Sequence, residues 1–164
     1  MQTRPPRRNP SAAALHPHPT GLVGTSPELP GEVRNVTYVR QASNTDIALA
    51  QLSAPVTAVT PLGLSKTRPA TGSLLTIAGW GATSSTNPSP ATELSTGVVK
   101  ISAISSTTIN VVGYAPAADT SACLYDSGAP YFSTGPDCPH TSPETTARVD
   151  TIAKWIRTVV RDLP

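Results

Sequence analysis

Prolines recur along almost the whole of this chain, eighteen of them in 164 residues. A proline inside a helix removes a backbone hydrogen bond and clashes with the preceding turn, so frequent prolines favour short elements joined by turns. Many serines, threonines, alanines and valines lie between the prolines, and the β-branched residues among them fit strands better than helices. The chain therefore predicts an all-β body.

Short apolar or alternating runs, each bounded by Pro, Gly, Asn or Ser, predict where the strands lie. The runs cover residues 33–41, 46–52, 73–83, 95–104 and 108–114. The C-terminus is the exception, because its apolar residues follow helical spacing over residues 150–163, with Asp150 placed as an N-cap. We expect one amphipathic helix there, packed on the sheet.

Residues 1–32 differ in composition and apolar pattern from the rest of the chain. They are rich in Pro and Gly and have no apolar period, which is typical of a disordered or loosely ordered tail. The apolar stretch near the N-terminus lasts about five residues, short of the roughly 7 to 15 that a secretory signal needs. We expect a folded domain over residues 33–164.

Composition excludes several classes of partner. The net charge is +2 with only 13% charged residues, so the sequence lacks the basic face that nucleic acid requires. No segment approaches the roughly 20 apolar residues of a membrane helix. The segment GWGAT lacks the third glycine and the following helix of a dinucleotide loop, so it does not predict a dinucleotide cofactor.

The two cysteines, Cys123 and Cys138, are fifteen residues apart and match no metal pattern of paired Cys-x-x-Cys. One disulfide, formed in an oxidising compartment, is the simpler interpretation. Two free buried thiols are the alternative.

A serine between an aspartate and a glycine, in ACLYDSGAP (122–130), raises the question of a nucleophile. A catalytic serine needs an adjacent base and donors for the oxyanion that it creates. Asp-Ser-Gly is also ordinary turn chemistry, because Asp and Ser bond their own backbone and Gly accepts positive φ. The tripeptide alone leaves both interpretations open.

Taken in order, five segments resemble the chymotrypsin-like (trypsin family) serine proteases over residues 33–164. They are NTDIALAQL, IAGWGAT, SACLYDSGAP, a following cysteine and RVDTIAKWI. The resemblance implies a chymotrypsin-like double β-barrel with a C-terminal helix. It also implies a secreted, monomeric endopeptidase that acts on peptides or proteins without a metal or cofactor.

The resemblance assigns catalytic roles residue by residue. Ser127 matches the nucleophile, and Asp46 matches the buried aspartate that orients the catalytic histidine. The backbone N–H groups of Tyr125 and Ser127 match the oxyanion donors. Asp126 matches the aspartate that pairs with a new N-terminal amine in members activated by cleavage.

Further positions match the substrate-binding parts of the family. Ser121 lies where the floor of the specificity pocket is set, and a neutral side chain there favours apolar or aromatic substrates. Cys123 and Cys138 match the disulfide that braces this pocket. Ser133 and Gly135 match the segment whose backbone pairs with an extended substrate.

The sequence departs from the family at the catalytic base. Residues 1–45 contain no Ala-Ala-His-Cys-type motif, and the only histidines are His16, His18 and His140. His16 and His18 lie in the tail, where two ligands make a weak metal site, and His140 is interpreted as a surface residue at the pocket rim. Tyr125 replaces a glycine, which predicts backbone strain.

Two deletions accompany these departures: the first barrel is largely missing, and the second lacks a hairpin between residues 132 and 133. We therefore expect a truncated bacterial secreted serine endopeptidase that is inactive because it lacks the catalytic histidine. The alternative is a non-catalytic binding module that holds peptides in the remnant cleft.

Overall fold

The computed structural model describes residues 20–26, 29–127 and 138–163. These residues form a mostly β structure with one C-terminal helix, as predicted. In chain order the elements are β1 (Thr20–Ser26), β2 (Leu29–Gln41), β3 (Ala48–Leu52), β4 (Leu74–Gly79), β5 (Ser95–Ile104), β6 (Thr108–Ala115), β7 (Glu144–Ala147) and α1 (Val149–Arg161).

The chain divides into two compact units. The first contains the described residues up to Val39 together with Ala50–Val59, and so holds β1 and most of β2 and β3. The second contains Arg40–Leu49 and the described residues from Thr60 onward, and holds β4 to β7 and α1.

A four-stranded antiparallel sheet, in the order β4-β5-β6-β7, organises the second unit. Leu75 lies opposite Val99, and Ile101 lies opposite Val111. The register of β5 against β6 shifts twice, between Val98 and Val99 and between Ile101 and Ala103. Bulges of this kind bend a strand and increase its twist, so β5 curves.

Alternation along β5 and β6 creates the core of this sheet. Side chains of a strand point to opposite faces in turn, and the buried positions alternate at residues 97, 99 and 101 of β5 and at 109 and 111 of β6. Apolar groups removed from water in this way supply most of the stabilisation of a fold. The core cluster consists of Val99, Ile101, Ile109, Val111 and Ala122, with Leu75, Ile77 and Ile104 packed against it.

The first unit contains the three-stranded sheet β1-β2-β3. β1 runs antiparallel to β2, with Thr20 opposite Asn35, and the Ser53 N–H donates a 2.8 Å hydrogen bond to the Asn35 carbonyl. β1 and the first residues of β2 lie within residues 1–32, for which composition predicted no regular structure. Backbone hydrogen bonds between β1 and β2 form strands in a segment whose glycines and prolines do not indicate them.

The helix begins two residues earlier than its pattern indicated. Arg148, not Asp150, occupies the N-cap, and the prediction for Asp150 was wrong. The Arg148 guanidinium donates to both carboxylate oxygens of Asp150, at 3.1 and 2.6 Å, which fixes Asp150 in the first turn. This hydrogen bonding with Arg148 lowers the pKa of Asp150 below its ordinary value.

Arg148 also ties the helix to the sheet. Its Nη1 donates to the Ser105 carbonyl at 2.6 Å, in the turn between β5 and β6. The Arg148 N–H donates to the Thr107 carbonyl at 2.8 Å, and Ala153 is buried on the first turns of the helix. Within the described part of the chain, no helix has the length and apolar character required to span a membrane.

Candidate active site

The segment from Cys123 to Ser127 forms a tight turn that its backbone holds in place. The Asp126 N–H donates to the Cys123 carbonyl at 3.1 Å, and the Ala82 N–H donates to the Leu124 carbonyl at 2.8 Å. Ser127, the predicted nucleophile, is exposed at the end of this turn. A nucleophile must be accessible to its substrate, and Ser127 meets that requirement.

Asp126 connects this turn to the segment after β4. Its carboxylate accepts hydrogen bonds from the Gly81 N–H at 2.8 Å and from the Cys123 N–H at 2.9 Å. Gly79 and Gly81 make the approach possible, because a Cβ atom on either one would overlap the Asp126 carboxylate. The glycines that flank Trp80 are therefore required by a contact with Asp126, which lies forty-five residues after Gly81.

Tyr125 has left-handed backbone geometry, with φ of 74°. This region costs a residue with a Cβ about 1–2 kcal/mol, which glycine avoids. The strain predicted for Tyr125 is therefore present in the backbone. Among the described residues, the N–H groups of Tyr125 and Ser127 have no acceptor, so both are available as donors.

Cys123 and Cys138 form a disulfide with a Cα–Cα distance of 5.4 Å, which confirms the predicted bond. The bond attaches the turn to the segment before β7. The same two segments meet again where the His140 N–H donates to the Ser121 Oγ at 3.1 Å. Ser121, predicted to set the pocket floor, is thus fixed by the residue two positions after Cys138.

Glu144 is a buried carboxylate that the sequence analysis missed. Its side chain is 3% exposed, and the Ala122 N–H donates to its two oxygens at 3.1 and 3.4 Å. The His140 Nε2 lies 3.4 Å from the Glu144 Oε1. The spacing of four residues between an acid and a histidine was visible in the sequence, but only the fold shows that the two side chains meet inside it.

His140 is consequently not the surface residue that was predicted. Its side chain is only 16% exposed, because the contact with Glu144 and the bond to Ser121 draw it inward.

Asp46 lies in a bend between β2 and β3 and is exposed, whereas its assigned role predicts a buried aspartate. The bend is held by its own backbone: the Ala42 N–H donates to the Ile47 carbonyl and the Ile47 N–H to the Thr45 carbonyl, both at 2.9 Å. Within the described residues Asp46 forms no hydrogen bond with Ser127 or with a histidine. The structure therefore does not join the assigned nucleophile and aspartate through a base.

Several assigned residues lie outside the described part of the chain. They are His16, His18, Ser133 and Gly135. Across residues 20–26, 29–127 and 138–163, no three His, Cys, Asp or Glu side chains are grouped so that they could hold a metal ion.

A cavity of about 140 Å³ lies beside Asp126. Its lining includes Asp126 itself, the glycines at 79 and 81, Ser121 and Cys138. The carboxylate of Asp126 gives this cavity an acidic wall, which suits a small cationic group.

Solved structures with the same fold include two named proteins. Human heparin binding protein superposes with a TM-score of 0.68 at 21% identity, covering 81% of this chain and 69% of its own. Neuropsin, a serine protease expressed in the limbic system of mouse brain, gives 0.66 at 22% identity, with 80% and 73% covered. No curated protein sequence gives a significant match.

These likenesses confirm the chymotrypsin-like fold that the motif order predicted. A family model described as Trypsin matches residues 24–156, which is most of the chain. The chain therefore belongs to the trypsin family.

Proposed function

We propose that this chain is a serine peptidase of the trypsin type. Ser127 is its nucleophile, and a peptide or protein is its substrate. The observation that carries the proposal is the geometry of residues 123–127. The turn is held from both sides, Ser127 is exposed, and the N–H groups of Tyr125 and Ser127 are available as donors. Preorganised donors of this kind stabilise the oxyanion of acyl transfer.

In this proposal the Ser127 Oγ attacks the substrate carbonyl, and the resulting oxyanion accepts hydrogen bonds from the two N–H groups. A base must receive the proton of the hydroxyl. His140 does not fill that role here, because its imidazole lies against Glu144. A serine-protease site without its histidine keeps at most roughly 10³ to 10⁴ of catalysis over water.

Asp126 has a second part in the proposal. The acidic cavity beside it supports the expectation that this carboxylate receives an N-terminal amine after cleavage of the chain or of a longer precursor. Its two present hydrogen bonds, from Gly81 and Cys123, already hold the turn before such an amine arrives. Secretion, which the disulfide favours, completes the peptidase proposal.

The test is labelling of the oxidised full chain with a fluorophosphonate probe. The Ser127 Oγ would bond to phosphorus as fluoride leaves, and the hydroxyl proton would pass to a base. Labelling that Ser127→Ala abolishes supports the peptidase proposal and shows that a base is present. A folded chain that shows no labelling contradicts it.

A second candidate is a non-catalytic module that binds peptides on the same scaffold. The exposed position of Asp46 and the pairing of His140 with Glu144 favour it, because no described histidine connects Asp46 to Ser127. The names of the two structural neighbours show that one fold carries both a protease and a protein named for binding. Peptide binding by the Ser127→Ala chain, without labelling of the unsubstituted chain, would support this candidate.

A further inference from the structure

A three-residue motif on β2 has no part in the proposed chemistry. Asn35, Val36 and Thr37 form an Asn-x-Thr triplet, which is the acceptor sequence for N-linked glycosylation of secreted proteins. Asn9 and Asn87 also have a serine two positions later, but in each case a proline lies between and excludes acceptance. Asn35 therefore belongs to the only complete acceptor triplet in the sequence.

The fold presents the Asn35 side chain to solvent. Side chains alternate between the two faces of a strand, and on β2 Val36 is buried at 9% whereas Asn35 and Thr37 are exposed. The Asn35 backbone is occupied, since it lies opposite Thr20 of β1 and its carbonyl accepts the Ser53 N–H at 2.8 Å. The side-chain amide forms no hydrogen bond with another described residue. A sugar on this amide would therefore break no described contact.

Two exposed valines share the face of Asn35. Val33 and Val39 lie an even number of residues from it along β2, and they are 60% and 55% exposed. Successive residues on one face of a strand are about 7 Å apart, so the valines lie about 7 and 14 Å from Asn35. Exposed apolar surface favours association with another chain. A glycan is bulky and hydrated, and one attached between the two valines would cover them.

Thr37 supplies the hydroxyl that completes the triplet. Its Oγ1 donates to the Gln51 backbone carbonyl at 3.4 Å or to the Gln51 side-chain oxygen at 3.3 Å. Both distances are long for an O–H donor, so these bonds are weak. Removal of the hydroxyl should disturb the fold little, and position 37 can therefore test the triplet while Asn35 stays in place.

We propose that Asn35 is an N-glycosylation site whose glycan covers the exposed face of β2. The inference goes beyond the peptidase chemistry and rests on the secretion proposed with it. An oligosaccharyltransferase supplies the sugar from a lipid-linked diphosphate donor. The Asn35 Nδ2 bonds to the anomeric carbon, and the bond from that carbon to the diphosphate oxygen breaks. The lipid diphosphate leaves, and one amide proton passes to a base of the transferase.

Secretion of the full chain from a eukaryotic cell line, behind a cleavable signal, tests the site. A peptide N-glycosidase then removes each N-linked glycan and leaves an aspartate in place of the asparagine, which mass spectrometry locates. We expect most of the unsubstituted chain to carry a glycan at Asn35. Asn35→Gln and Thr37→Ala should each abolish it, whereas Thr37→Ser keeps a hydroxyl and should retain it.

Asn87 provides a matched control. It is exposed and is followed by Pro88 and Ser89, so Asn87→Gln should leave the glycan unchanged. Pro88→Ala completes a second triplet and should add a second glycan, which shows that the chain has reached the transferase. An unsubstituted chain without a glycan at Asn35 would overturn the proposal, as would a glycan that persists in Thr37→Ala.

Sedimentation velocity tests whether the glycan covers the two valines. Asn35→Gln should self-associate about tenfold more strongly than the glycosylated chain, because the valines can then be buried against a second copy. Val33→Thr together with Val39→Thr should reverse the increase. Equal association with and without the glycan would contradict the covering role.

The Ser127→Ala chain separates this inference from the peptidase proposal. It should carry the same glycan at Asn35, because the transferase does not depend on the nucleophile. Glycosylation of a chain that fluorophosphonate does not label supports the role of Asn35 and contradicts catalysis. Labelling of a chain without the glycan supports catalysis and contradicts the role of Asn35.

Discussion

The two sheets of this molecule bury their side chains very differently. In the β4–β7 sheet, Val99, Ile101 and Val111 are at most 1% exposed. On β2 of the other sheet, Val33 and Val39 are 60% and 55% exposed, and Val36 is buried at 9%. Both sheets have β-branched strands, so strand propensity does not distinguish them. The difference shows that a strand pattern becomes a core only where other segments cover its apolar face.

The site turn shares its contacts with the well-buried sheet. Ala122, which directly precedes Cys123, belongs to the core cluster together with residues of β5 and β6. The precision of the Ser127 turn therefore depends on the core of the second unit. Substitutions in the β4–β7 sheet and its site turn, compared with substitutions at exposed positions, test this dependence.

The largest expected effect comes from the core of the β4–β7 sheet. Ile101→Ala should lower the free energy of unfolding by about 4 kcal/mol, because the residue is fully buried and leaves a cavity. Val39→Ala, on the exposed part of β2, should change it by less than about 1 kcal/mol. Urea unfolding measures both. Equal costs would contradict the difference between the sheets.

Removal of the disulfide should have the second-largest effect on stability. Substitution of both Cys123 and Cys138 by alanine frees a loop of fifteen residues, which costs about 3 kcal/mol. Amide hydrogen exchange should accelerate around residues 121–127 while exchange in β1–β3 is unchanged. Uniform acceleration across both sheets would show that the bond stabilises the whole chain rather than the site.

A smaller loss of stability is expected when the Asp126 carboxylate is replaced by an amide. Asp126→Asn weakens the hydrogen bonds from Gly81 and Cys123, and should cost about 2 kcal/mol, as is usual for bonds to a charged group. Faster exchange at these two amides is the specific signature. The exposed Asp46→Asn is the matched control, with a change below about 0.5 kcal/mol. Unchanged exchange at Gly81 in Asp126→Asn would show that this bond is unimportant.

The smallest effect should be a gain in stability. Tyr125→Gly relieves the left-handed strain at φ 74° and should stabilise the fold by about 1 kcal/mol, partly offset by the freedom that glycine adds to the unfolded chain. Tyr125→Ala keeps a Cβ atom and should show no such gain. Thermal unfolding compares the two variants, and an equal change in both would rule out backbone strain as the cause.

Sequence reasoning located β2 to β6 and the helix, but not β1, because alternation and helical spacing are local properties. It found β5 over residues 95–104 in full. It missed β7, whose four residues ETTA have no apolar pattern and form a strand only because β6 pairs with them.

The site was predictable to the extent that family motifs carry it. The motif order identified Ser127, Asp126 and the disulfide pair, and the glycine replaced by Tyr125 predicted strain. Glu144 and the environment of His140 were not predictable, because burial and contact across twenty-two residues between Ala122 and Glu144 arise only in the fold.

The contact between Arg148 and Asp150 makes the stability of the fold depend on pH in the acid range. Its hydrogen bonds lower the pKa of Asp150, so this carboxylate stabilises the fold fully above its unfolded value of about 4. The contribution is lost as the pH falls through the lower, folded value. At low pH Arg148 keeps its hydrogen bonds to the carbonyls of Ser105 and Ser106 in the β5–β6 turn, but it loses its ion pair with Asp150. The first turn of α1 is then no longer held by this pair.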